Sequence, residues 1–204
     1  HVRSVVGAYN HSLALDEDGH VWAWGANHVG QLGFGAADGS SNFNTNYPVQ
    51  ATFPGINAAT RVVGIEAGAA HDLAVMSDGT VFAWGWNREC QLGNLPGTPS
   101  SGAQNTIDSG TSTPRRVRGP SGEGFLSDVV AVAGGVYHSL ALRADGTVWA
   151  WGDNQKHQLG NAEMYSSSSV PVQVKSPDGS GFLTSIRQIS ADSRVSGAVD
   201  NEGR

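Results

Sequence analysis

Three histidines stand at matching places in the chain, His11, His71 and His138, and each is followed by a hydroxyl or carboxyl side chain, Ser12, Asp72 and Ser139. A histidine beside a serine suggests nucleophilic acyl chemistry, and three imidazoles suggest a metal centre. Neither suits the spacing. Adjacent residues of an extended strand point to opposite faces, so a His-Ser dipeptide is no general-base pair. Metal ligands must converge within about 2.1 Å of one ion, whereas histidines 60 and 67 positions apart, one per repeat, are carried away from each other. The expected role of all three is structural, satisfying buried backbone groups.

The remaining candidates are weaker. Asp16, Glu17 and Asp18 form an acidic turn that could hold calcium loosely, but the matching turns at Asp78 and Asp145 do not repeat it. A solvated hairpin tip is expected there. None of the glycine-rich stretches pairs its glycines with Gly-Lys-Ser/Thr or opens a helix, so no phosphate loop is assigned. Cys90 is the single cysteine and cannot form an intramolecular disulfide. Asn10-His11-Ser12 matches a glycosylation sequon, yet it is expected on a strand, where a glycan would clash. No catalytic residue, cofactor or metal is therefore assigned, and a non-enzymatic role is expected.

The elements that carry these residues are legible from repetition. The fifteen residues from His138 to Gly152 recur almost unchanged from His11 to Gly25 and from His71 to Gly85. Each copy is two short alternating runs around an Asp-Gly turn, the pattern of a β-hairpin. A hairpin alone cannot bury its apolar face, so like units must pack on one another. Further extended runs precede each histidine and follow each Gln-Leu-Gly, giving four strand candidates per unit. The units run over residues 1–60, 61–127 and 128–184, with a partial fourth over 185–204 that has Val195 in place of the histidine. Hairpin lengths are constant while the connecting loops vary, as expected when insertions are tolerated only at solvent-facing ends.

Composition bounds the partners. Charged residues make up 15% of the chain and the net charge is −6, so no basic face for nucleic acid or anionic membrane is expected. Arg115, Arg116 and Arg118 are the only basic cluster, with Val117 expected inward between outward Arg116 and Arg118. No segment approaches the roughly 20 apolar residues of a membrane span. The chain begins at His1 rather than Met, as expected of a processed form or part of something longer. Low charge favours an extracellular or envelope setting.

With Ala67-Gly68, His71, Leu73, Asp78-Gly79, Trp84-Gly85, Asn87 and Gln91-Leu92-Gly93 and their counterparts in hand, the chain resembles the regulator of chromosome condensation repeat family. The wording Ala-Trp-Gly and the Gly-x-Gly-Phe-Leu leaders at Gly122 to Leu126 and Gly179 to Leu183 resemble its bacterial branch. The resemblance implies an all-β propeller of four-stranded antiparallel blades, about three and a half of them here, from a ring that usually has seven. Two chains closing one ring would break the strand order, so completion by a longer parent or another chain is expected.

Members of that family grip a small GTPase, bind chromatin or, as secreted inhibitors, plug a β-lactamase. The resemblance thus implies a protein-binding scaffold acting through the loops of one face. Its alternatives are a guanine-nucleotide exchange regulator, a structural subunit self-associating through an open blade edge, and a secreted enzyme inhibitor. His11, His71, His138, Trp24, Trp84, Trp151, Gly25, Gly85 and Gly152 are expected to be structural, with Trp22 and Trp149 also packing between blades. Trp86 differs: its counterparts are Ala26 and Asp153, so an aromatic the fold does not demand is expected in a loop, available to a protein partner. Arg88, His28, Lys156 and His157 accompany it from corresponding loops.

Overall fold

The computed structural model describes residues 1–35, 44–94 and 110–204. Residues 36–43 of the loop after Gly33 and residues 95–109 of the Leu95 to Ser112 loop lie outside them. Fourteen strands are described, in four antiparallel sheets. Blade 1 contains β1 (Val2–Gly7), β2 (His11–Asp16), β3 (Val21–Gly25) and β4 (Thr45–Gln50). Blade 2 contains β5 (Val62–Ala67), β6 (His71–Met76), β7 (Val81–Trp86) and β8 (Gly110–Arg116). Blade 3 contains β9 (Val129–Gly134), β10 (His138–Arg143), β11 (Val148–Gly152) and β12 (Ser168–Gln173). Blade 4 is the pair β13 (Ile186–Asp192) and β14 (Val195–Asp200). Strands follow one another in space as in sequence.

The repeated Asp-Gly sets the hairpin register. Gly19, Gly79 and Gly146 have φ of +88°, +77° and +79°, which glycine adopts without the Cβ penalty. Their N–H groups donate to Asp16, Met76 and Arg143, closing the turns. The register that results is the same in each blade, with His11 opposite Gly25, His71 opposite Gly85 and His138 opposite Gly152. These three glycines, also at positive φ, leave no room for a side chain: a Cβ on Gly85 would strike the Ala70 carbonyl and the His71 backbone.

The core lies between blades. Leu13, Leu15, Val21, Ala23 and Leu32 of blade 1 pack against Ile65, Ala74, Met76, Phe82 and Trp84 of blade 2. Leu73, Val75, Val81, Ala83 and Leu92 of blade 2 pack in turn against Val132, Ala141 and Trp151 of blade 3. Trp84 and Trp151 are fully buried, each contributing roughly 5 kcal/mol of gross transfer free energy. Trp22 and Trp149 depart from the expectation that they pack between blades. Both are partly exposed, their indole N–H groups donating to Asp16 and Thr147. Trp24 is also only partly buried.

Two local expectations are corrected. Trp86 closes strand β7 rather than lying in a loop, because Gly110 lets the partner strand start early and pair with it. Asn10 is exposed in the bend before β2 rather than on the strand, so the clash expected for a glycan there does not arise. Val117 is fully buried as expected. Arg116 is not simply solvated: its guanidinium caps the rings of Phe82 and Phe125 at 5.5 and 5.3 Å.

Candidate interaction face

Blade topology divides the surface into two ends. At one end are the Asp-Gly turns and the connections between blades; at the other are the bends before each β2-type strand and the loops after each β3-type strand. Trp86, Arg88, His28, Lys156 and His157 all fall at this second end, the loop face. His28, Arg88, Lys156 and His157 are exposed and Trp86 is half-buried.

The Asn and Gln of the repeat make the loop face rigid. Asn27, Asn87 and Asn154 accept through Oδ1 from the backbone N–H of Leu32, Leu92 and Leu159, at 3.0, 2.9 and 3.1 Å. Gln31, Gln91 and Gln158 accept through Oε1 from Val29, Glu89 and Lys156, at 3.0, 2.9 and 2.8 Å. Each loop start is therefore pinned from inside, and the residues between are presented outward. His157 holds φ at +60°, where blade 1 has Gly30 at +83°. A non-glycine residue in this region is strained, by about 1 kcal/mol.

Trp86 is joined to residues that the sequence reading did not single out. Its ring meets Tyr137 edge-on, with centroids 5.3 Å apart and an interplanar angle of 79°. Arg194 of blade 4 stands over Tyr137 at 5.8 Å. Beside them Arg88 pairs with Glu89 at 3.6 Å. Burial pushes the Glu89 carboxyl up, Asp153 adds to this, and Arg88 and Arg194 oppose it. One patch thus spans three blades, while His157 packs on Tyr165 at 4.8 Å and Lys156 lies beside it in sequence. His28 is on the same face in blade 1 and does not join this cluster. Tyr137 was discoverable by the reasoning used for Trp86, since Asn10, Ala70 and Arg194 occupy its place elsewhere.

The repeated histidines bond neighbouring blades rather than backbone groups, which corrects the expectation for them. His71 Nε2 lies 3.0 Å from Ser139 Oγ, and Ser139 Oγ donates to the Gln91 carbonyl at 2.8 Å. His138 Nε2 lies 2.9 Å from Ser196 Oγ, which donates to the Gln158 carbonyl at 2.7 Å. Since the serine proton is spent on a carbonyl, each histidine must donate from Nε2. The imidazole therefore cannot act as base toward that hydroxyl, and the pair is a strut rather than a nucleophile. Burial lowers the His71 pKa to about 3 and the His138 pKa to about 4.

At the first boundary the serine is replaced by Asp72. His11 Nε2 and Asp72 Oδ1 are 2.8 Å apart with both side chains fully buried. Burial lowers the His11 pKa, but the charge and hydrogen bond of Asp72 outweigh it and the net direction is up.

The acidic turn is on the opposite end. Asp16, Asp18 and His20 bring one ligand atom each within 4.8 Å of the others. Asp16 is already occupied by donors: the Asp18 and His20 backbones and the Trp22 indole, with the His20 ring 3.1 Å away. That is a self-contained hairpin tip.

The Regulator of chromosome condensation (RCC1) repeat matches residues 18–75, 78–142 and 145–199, and a second description of the same repeat matches residues 2–31, 62–91 and 129–158. Protein pim1 of Schizosaccharomyces pombe is 32% identical over 177 residues, covering 83% of this chain and 30% of that protein. Probable E3 ubiquitin-protein ligase HERC6 of Homo sapiens is 35% identical over 176 residues, covering 86% of this chain and 15% of that protein. Among solved structures, yeast RCC1 (Prp20) bound to Kap60 is 28% identical with a TM-score of 0.73, covering 99% of this chain and 42% of that one. The chain thus spans less than half the length of each. Repeat by repeat and blade by blade, the chain belongs to the regulator of chromosome condensation (RCC1) repeat family.

Proposed function

We propose that this chain is a protein-binding propeller scaffold that captures its partner on the loop face, without catalysis of its own. The observation that carries the reading is the contact of Trp86 with Tyr137 and of Tyr137 with Arg194. Aromatic and arginine side chains that the repeat does not require are gathered from three blades onto a pinned platform. That is the composition of a binding hot spot, and rigidity keeps the ordering cost of association low. Arg88, Lys156 and His157 lie at its edge as a polar rim, and His28 extends the same face in blade 1. A relative solved as a complex with another protein, yeast RCC1 (Prp20) with Kap60, supports the same kind of role.

The test is a pair of substitutions, Trp86→Ala and Arg88→Ala, compared with the unaltered protein for partner capture and thermal midpoint. Loss of capture with a nearly unchanged midpoint supports the reading; capture that persists overturns it. Acceleration of labelled-nucleotide release from a small GTPase would instead make the chain an exchange regulator.

A further inference from the structure

Trp86 stands where the fold is better served by another residue. In blade 3 the residue after Trp-Gly is Asp153, whose Oδ2 accepts from Gln158 Nε2 at 2.8 Å. In blade 2 Trp86 takes that place. Gln91, the counterpart of Gln158, is fully buried and keeps Nε2 without a hydrogen-bond partner among the described residues. A buried donor left unmade lowers stability. A local rule broken at such a cost points to a use outside the fold.

The free groups of the patch say what that use is. The indoles of Trp22, Trp84, Trp149 and Trp151 donate to Asp16, the Gln31 carbonyl, Thr147 and the Gln91 carbonyl. Trp86 Nε1 meets no acceptor among the described residues and opens to solvent, and so does the Tyr137 hydroxyl. The exposed Arg194 guanidinium over Tyr137 adds a further donor, while the Glu89 carboxylate lies against Arg88. The Trp86 backbone is already paired, its N–H donating to the Ala70 carbonyl at 2.8 Å and its strand joined to Gly110. No free strand edge is therefore presented at Trp86 for an incoming β-strand.

Donors mounted on two aromatic rings match a chain that offers acceptors and apolar rings. Proline has no N–H, and in a polyproline II helix the carbonyls project unpaired into solvent. Trp86 and Tyr137 meet edge-on, so a ring face and a ring edge stand side by side for a pyrrolidine to straddle. An ordinary segment brings an N–H with each carbonyl, which a surface of donors does not satisfy.

We propose that the ridge of Trp86 and Tyr137 binds a proline-rich segment of its partner in the polyproline II conformation. Trp86 Nε1 and Tyr137 Oη donate to carbonyls of the segment, and a pyrrolidine ring sits between indole and phenol. Ring contact and carbonyl capture supply the recognition, and the preformed helix lowers the ordering cost. This inference rests on the loop-face reading and names the chemistry of the partner there.

The test is two-dimensional NMR of the intact, isotope-labelled 204-residue protein titrated with decaproline, beside a glycine-serine peptide of equal length. The Trp86 indole N–H signal is assigned by its loss in Trp86→Phe. It is expected to shift saturably with decaproline, while the signals of Trp84 and Trp151, buried and bonded to carbonyls, stay in place. The glycine-serine peptide leaves all three unmoved. By fluorescence anisotropy of labelled decaproline, Trp86→Phe and Tyr137→Phe, which keep a ring and remove the donor, each weaken binding about fivefold, the worth of one hydrogen bond. Trp86→Ala weakens it by about tenfold or more, with circular dichroism reporting an intact fold. An unmoved Trp86 signal, equal binding of the glycine-serine peptide, or undiminished binding by both phenylalanine variants overturns the proposal. If Trp86→Ala abolishes capture of the native partner and decaproline still does not bind, this proposal fails alone; capture that persists in Trp86→Ala overturns the loop-face reading beneath it.

Discussion

His11 and Asp72 form a fully buried pair, 2.8 Å apart, at the first blade boundary, where the next two boundaries place a neutral histidine against a serine. Asp72 Oδ2 and His11 Nδ1 have no hydrogen-bond partner among the described residues. A buried ion pair in a site that a neutral pair fills equally well gains little over its desolvation cost.

The pair makes stability pH-dependent with a definite sign. His11 is raised from 6.5 by Asp72 against the opposing effect of burial, and Asp72 is raised from 3.8 by burial against the opposing effect of His11. In both, the folded chain holds protons more tightly than the unfolded one. The His11 contribution is complete below pH 6.5 and fades as pH rises through its folded value. Asp72→Ser, which can donate to the Gln31 carbonyl as Ser139 does to Gln91, is expected to stabilise the protein by about 1–3 kcal/mol at pH 8–9. Urea unfolding across pH 6 to 9 checks this; an unchanged slope with lower stability would contradict it.

His71 and His138 act in the opposite direction. Their pKa values are depressed to about 3 and about 4, so their stabilisation is present above pH 6.5 and is lost as pH falls from there toward those values. The loss is on the order of 3 kcal/mol for His138 alone. His138→Gln retains an N–H donor for Ser196 and is expected to flatten the acid limb between pH 6.5 and 4. Acid unfolding followed by tryptophan fluorescence measures it.

Gly68 and Gly135 are required by the struts themselves. A Cβ on Gly68 would overlap the His71 ring and the Gly135 carbonyl, and one on Gly135 would overlap the His138 ring. Gly68→Ala is expected to cost about 2–3 kcal/mol through displacement of the ring. Gly55→Ala, at φ +74° with nothing within 4 Å, is expected to cost about 1 kcal/mol. Thermal midpoints of the two variants separate overlap from backbone strain.

Glu66 occupies a strand position that carries Val6 in blade 1 and Ala133 in blade 3, and it pairs in register with Leu73. Burial alone raises its carboxyl pKa. Glu66→Val is expected to raise stability by roughly 1 kcal/mol near neutral pH, with the gain shrinking as pH falls and the carboxyl takes up a proton. A gain independent of pH would show that the carboxylate is adequately solvated.

Repetition made the hairpins, their turns and the four-strand units readable, because identical local pairings recur at fixed offsets. What joins one blade to the next was less readable, since it depends on contacts between residues about sixty positions apart. The histidines are an example: a local reading supplied them with backbone partners, while the actual partner was the serine or aspartate at the matching place of the next unit, Asp72, Ser139 or Ser196. Trp86 was recognised as an outlier from its counterparts, but its strand pairing depended on Gly110 across a long connection. Tyr137 stood out by the same comparison of counterparts, but that it meets Trp86 and Arg194 became visible only once the bends of successive blades lay side by side.

The central claim, that a partner docks on the loop face, is tested most directly by site-specific photo-crosslinking. A photoreactive phenylalanine in place of Tyr137, compared with one in place of Asp18 on the turn face, is irradiated in the presence of the native partner mixture. A defined covalent adduct from position 137 and none from position 18 is the predicted result. Adducts from position 18 with none from position 137 would place the partner on the other end of the blades and contradict the account.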